Sequence, residues 1–151
     1  GYKPPAYWPR VDDIRAAVKV PVTVNGEIWS VEDARAALLQ SGSNTLMLGR
    51  GMVARPALAR CILAELGGAP GNLGQPGLDW SWEDLIPLMH AFWGVATTRL
   101  EQKQQAGRLK QWLNYLRRHY PQAQTAMDEV RTLVRPSDVE AWMQQRMPLA
   151  T

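Results

Sequence analysis

Apolar residues follow two different rhythms along the chain. Between residues 20 and 55 short apolar runs alternate with polar turns, and from Trp80 onward apolar positions recur every three or four residues. Residues 20–24 are β-branched and apolar apart from Pro21, which predicts a strand buried on both faces. The missing N–H of Pro21 is tolerated at a strand start. Residues 45–48 predict a second strand. Each run ends in a polar turn, Asn25-Gly26-Glu27 after the first and Gly49-Arg50-Gly51 after the second. Between them, Ser30 with Asp33 three residues on forms a capping-box-like helix start. Ala34, Ala37, Leu38 and Leu39 supply that helix with an apolar stripe, and Ser41-Gly42-Ser43 ends it. Two consecutive βα units predict a parallel strand pair joined by a right-handed crossover. Both turns then share one sheet edge, outside the carboxyl ends of the strands, where α/β proteins hold ligands.

The flanks are helical. Val11, Ile14, Ala17 and Val18 predict a short helix over 9–18, preceded by an extended lead-in with Tyr2, Tyr7, Trp8 and three prolines. Trp8 is expected to pack rather than to bind. Residues 51–66 predict another helix, with Pro56 delaying its regular part to about Arg55. Five glycines and two prolines over 67–79 can hold neither helix nor strand, so this run is read as a linker between two domains. Beyond it only helices are predicted. The first begins at an Asp79 or Ser81 cap, with Leu85, Leu88, Met89, Phe92, Trp93, Ala96 and Leu100 as its buried face. A polar break follows over 102–107. Further helices are expected over 108–120, 122–134 and from a Ser137 cap to 147, together forming a small antiparallel bundle. The fold class is therefore α/β plus all-α, with residues 1–66, 67–79 and 80–151 as the divisions.

Composition narrows the chemistry. The net charge is only +3, so any basic surface must come from clustering. Residues 103–125 contain no acid, and the helix within this run carries Arg108, Lys110, Arg117 and Arg118 around Tyr115. Such a face suits phosphates and an unpaired base, and it is equally an ordinary solvated helix face. Gly49-Arg50-Gly51 can place backbone and a guanidinium against a phosphate, or can be a tight turn with a surface arginine. The sole cysteine, Cys61, sits among Leu58, Ile62 and Leu63 and reads as a small buried hydrophobe. It excludes an internal disulfide and fits a reducing cytoplasm. His90 and His119 lack metal-ligand spacing, so no zinc site is expected. No run approaches a membrane span, and no signal-peptide pattern opens the chain.

PVTVNGEI followed by LMLGRG resembles the tRNA-dihydrouridine synthases, as does the opening GYKPPAYW; RLKQWLNYLRRHY is similar to the C subtype, which acts on U16 of the D-loop. The resemblance extends over nearly the whole chain. It implies the last βα units of a TIM-type (β/α)8 barrel followed by a C-terminal helical bundle. It implies an FMN- and NADPH-dependent oxidoreductase that reduces a tRNA uridine. By the same resemblance, Asn25, Gly26, Glu27, Gly49 and Arg50 line the FMN site, and Tyr2, Arg108, Lys110, Tyr115 and Arg131 contact tRNA, the last four being expected to form one surface. The family's catalytic cysteine, a flavin-contacting lysine and its HxRTK segment have no counterpart here, so this chain is read as the C-terminal half of a longer enzyme and as inactive alone. Strand edges left open by a missing half-barrel make self-association an expectation. A plain RNA-binding module, or a metabolic α/β enzyme with a phosphorylated substrate at the Gly-Arg turn, remain alternatives on the residues alone.

Overall fold

The computed structural model describes residues 5–66 and 79–149, so Tyr2 and all of the expected linker but Asp79 lie outside the described residues. The chain divides into two compact units, Gly1–Asp79 and Trp80–Thr151.

The first unit runs α1 (Pro9–Ala17), β1 (Val24–Asn25), α2 (Val31–Ser41), β2 (Leu46–Met47), α3 (Arg50–Ala54) and α4 (Leu58–Leu66). β1 and β2 pair in parallel, with Val24 opposite Leu46 and Asn25 opposite Met47. Parallel pairing is as expected, but each strand is only two residues long. Val20 is 67% exposed, so the first strand is not buried on both faces; among its apolar residues Val24 is the one without exposure. Strand length depends on partners, and each of these strands has one described neighbour. Side chains extend the junction beyond the ladder. Ser43 Oγ donates to the carbonyls of Val22 (2.6 Å) and Thr45 (3.0 Å), and Thr23 and Thr45 share a hydroxyl hydrogen bond.

The start of α2 forms as read: Ser30 Oγ accepts from Asp33 N, and the Asp33 carboxylate accepts from Ser30 N. Gly42 closes the helix at φ 59°, in the left-handed region that glycine adopts readily. The buried stripe is Val31, Ala34, Ala37 and Ser41, while Leu39 is 82% exposed. Leu39 follows Ala34 by five residues, which turns it roughly 140° from that stripe. α1 buries none of its residues, contrary to the expected apolar face, and Ile14 and Val18 are exposed. Arg15 anchors it instead, donating to Asp12 at 2.8 Å and to the Ser41 carbonyl at 3.4 Å. The helix expected over 51–66 is two helices. Arg55, disfavoured from helical backbone by the following proline, is extended, and regular helix resumes at Leu58 rather than near Arg55.

The second unit contains α5 (Trp82–Arg99), α6 (Gln102–Leu116), α7 (Pro121–Val130) and α8 (Pro136–Arg146). Ser81 and Asp84 complete a capping box at the start of α5. Leu85, Met89, Trp93, Leu109, Leu113, Leu116, Val130, Val139 and Met143 belong to one core. α6 begins six residues before the expected Arg108. Gln105 is the reason: it is buried, and its amide donates to the carbonyls of Thr97 (3.2 Å) and Leu100 (3.0 Å). The polar run expected to break the helix thus satisfies the carbonyls that end α5. Pro121 opens α7, where its missing N–H costs nothing. At α8 the N-cap is Arg135, not Ser137, with Pro136 in the first turn.

These caps and this core lie wholly within residues 80–149. The excised piece should therefore melt in one cooperative thermal transition, followed by far-ultraviolet circular dichroism. A gradual, non-cooperative loss of helix would show that its stability depends on the preceding residues.

Candidate functional site

The parallel register brings the two polar turns together. Asn25, Gly26, Glu27, Ile28, Trp29, Met47, Gly49, Arg50 and Gly51 line one cavity of about 330 Å³. All five residues expected to line a flavin site are in this set. Gly26 has φ 105°, and Glu27 has φ 53° although it is not glycine, so two successive residues turn the chain with left-handed backbone. Trp8 clamps this turn from outside, its indole N–H donating to the Gly26 carbonyl at 2.9 Å. The Glu27 carboxylate accepts from Arg50 Nη2 at 2.7 Å and from the Trp29 indole N–H at 2.9 Å. The Arg50 guanidinium carbon lies 5.5 Å from the centroid of the Trp29 ring, within cation–π range. Arg50 is thereby aimed by a carboxylate and an aromatic face.

The two glycines of the second turn have different roles. A Cβ on Gly49 would meet nothing within 4 Å, so open space adjoins it. A Cβ on Gly51 would lie 2.0 Å from the Ile28 carbonyl oxygen and 3.0 Å from Leu58. The close approach at Gly51 is to backbone of the first turn, not to a ligand space. Trp29 and Ile28 were not singled out from sequence. No residue pattern points to Trp29, because strand periodicity does not carry across the left-handed backbone of Gly26 and Glu27.

In the second unit, Lys110 Nζ donates to the Arg131 carbonyl at 3.0 Å, so these two residues are brought together. An ammonium has three donors, so this bond at the end of α7 leaves capacity for a phosphate. Arg117 donates to Gln124 at 3.2 Å along the same flank. Trp112 packs on Phe92 of α5 with ring centroids 4.8 Å apart, which fixes the other flank. Arg108 and Tyr115, seven residues apart, fall on that other flank, roughly 200° from Lys110 in the case of Arg108. The four residues expected on a single surface are thus divided into two pairs on opposite flanks of α6, with Gln111 and Asn114 on the outward face between them. Arg108 also donates to Gln111 at 2.9 Å.

Cys61 is buried on α4, and desolvation raises its thiol pKa, partly offset by the Arg55 guanidinium. Arg55 Nη2 lies 3.6 Å from the sulfur and 2.7 Å from Asp79. A thiol held protonated in this way is a poor nucleophile. Among the described residues no group of three or more His, Cys, Asp or Glu is placed to hold a metal, and no helix is long and apolar enough to cross a membrane.

Residues 1–67 match the family model described as Dihydrouridine synthase. The chain is 46% identical over 131 residues to the tRNA-dihydrouridine(16) synthase of Pseudomonas putida, covering 87% of this chain and 39% of that protein. It is 36% identical over 131 residues to the protein of that name from Shewanella oneidensis, covering 87% and 38%. With the one from Neisseria meningitidis serogroup A the identity is 37% over 134 residues, covering 88% and 38%. The chain spans about two fifths of the length of the curated relatives it matches. The resemblance drawn from the two turn motifs and the basic helix is borne out by these similarities.

The contrast between the glycines is testable. Gly51→Ala should destabilise the first unit by roughly 1–3 kcal/mol, because backbone rather than a flexible side chain must move. Gly49→Ala should leave the fold intact. Thermal melts of both variants check this, and equal effects would contradict it.

Proposed function

We propose that this chain carries the flavin-phosphate turns and the RNA-binding helices of an FMN- and NADPH-dependent tRNA-dihydrouridine synthase that acts on U16. The observation that supports the reading most is the meeting of Asn25-Gly26-Glu27 and Gly49-Arg50 around one cavity, in a chain similar throughout to relatives of that name. Two features of the lining suit the phosphate end of FMN, the guanidinium at the rim and the open space beside Gly49, although the guanidinium is paired with the Glu27 carboxylate. FMN reduced by NADPH supplies the hydride that saturates the uridine C5–C6 bond in such enzymes. Within this chain Arg50 would bind the phosphate, and Gly26 and Gly49 would let backbone approach it. A tRNA substrate implies a cytoplasmic setting.

Unit two would hold tRNA. Arg108 and Tyr115 along one flank of α6, with Lys110 and Arg131 along the other, would straddle a backbone running over its outward face. Tyr115 would stack on an unpaired base, and the cations would meet phosphates. Tyr2 would add a contact from the first unit's lead-in.

Cys61 is not placed to supply the acid this chemistry needs, because it is buried on α4 and is not among the residues lining the cavity between the two turns. The 151-residue chain with FMN, NADPH and unmodified tRNA should therefore form no dihydrouridine by mass spectrometry of the nucleosides. Turnover would refute this division of labour.

For tRNA binding, Lys110→Ala should flatten the log–log salt dependence of affinity by about 0.7–0.9. Tyr115→Ala should cost affinity with little change in slope. Filter-binding titrations at several salt concentrations separate the two, and an unchanged slope in the first variant would remove Lys110 from the RNA surface.

A further inference from the structure

Glu27 is the one acid among the residues lining the cavity, and Arg50 the one base. A carboxylate there is an odd neighbour for a phosphate, since the two anions repel and would compete for the same guanidinium. Yet the Glu27 carboxylate is held firmly. One oxygen accepts from Arg50 and the other from Trp29. The residue also keeps φ 53°, a strained backbone for a glutamate, in a turn that Trp8 clamps. The ion pair is not deeply enclosed: the Arg50 side chain is half exposed and can be reached from the cavity. These features describe a placeholder anion better than a direct ligand.

We propose that Glu27 is an internal counter-ion that holds Arg50 at the cavity until a ligand phosphate takes the guanidinium from it. The proposal rests on the phosphate reading given above. Glu27 thereby acts as a positioning residue that also lowers affinity, because a phosphate must displace a carboxylate before Arg50 can bind it. It discriminates by charge: a dianionic phosphate can outcompete the monoanionic carboxylate, whereas a neutral ligand cannot.

The test is titration of FMN and of riboflavin, which lacks the phosphate, into the 151-residue chain and its Glu27→Gln variant, read by flavin fluorescence. Glutamine keeps an acceptor for the Trp29 indole and removes the charge. Glu27→Gly, which suits the positive φ, serves as the second variant should the first misfold. The expected result is about tenfold tighter FMN binding in the variant with riboflavin unchanged. Weaker or unchanged FMN binding, in a chain that still prefers FMN over riboflavin, overturns the counter-ion role alone. Equal gains for both flavins also overturn it, since they indicate a wider cavity rather than a released guanidinium. A wild-type chain that holds FMN no better than riboflavin overturns the phosphate reading and the proposal together.

Discussion

Val24 donates its amide hydrogen to the Thr45 carbonyl at 3.1 Å, and from that parallel pairing the candidate site follows. Parallel strands end on the same edge, so the segments leaving Asn25 and Met47 must meet. The ladder itself is only two residues long, too little to hold a register alone. Ser43, itself buried in the turn after α2, reinforces it by bonding the Val22 and Thr45 carbonyls. A buried hydroxyl with satisfied partners fixes geometry in a way that an apolar side chain could not.

Once the turns meet, the spacing between them is set by backbone. Gly51 lies so close to the Ile28 carbonyl that only hydrogen fits, and α3 starts from that contact. The polar groups then sort themselves by charge. Arg50 leans on Glu27 and Trp29, and the Glu27 strain is held by the Trp8 clamp on Gly26. The second unit solves a different problem with helices. Its outward-facing cations are placed by what α6 must bury, with Leu109, Leu113 and Leu116 inward and Trp112 against Phe92.

Local features were legible in the sequence because their partners lie within four residues. The Ser30–Asp33 capping box forms as read, and of the two caps expected for α5 it is Ser81 that forms, in a box with Asp84. So does the Gly42 helix end, while the parallel order of the strands was legible for another reason, the helical crossover that joins them. Features decided by distant partners were not legible. Residues 20–23 have strand-like composition but no ladder partner, so they remain outside the sheet. The glutamine-rich run over 102–105 looks like a break until Gln105 is seen closing the preceding helix. At the site, residue types in the turns indicated a phosphate-sized polar space, but not that Glu27 would take the arginine first. That depends on a positive φ at a glutamate, which no residue pattern announces.

On the function proposed above, flavin and RNA address separate units of this chain. Amide chemical-shift mapping by 1H–15N NMR tests it most directly, with FMN and a D-arm RNA stem-loop titrated in turn. FMN should perturb amides of residues 25–29 and 49–51, and the RNA should perturb α6 and the α6-facing end of α7. FMN shifts confined to the helices of the second unit, or RNA shifts that leave α6 untouched, would contradict it.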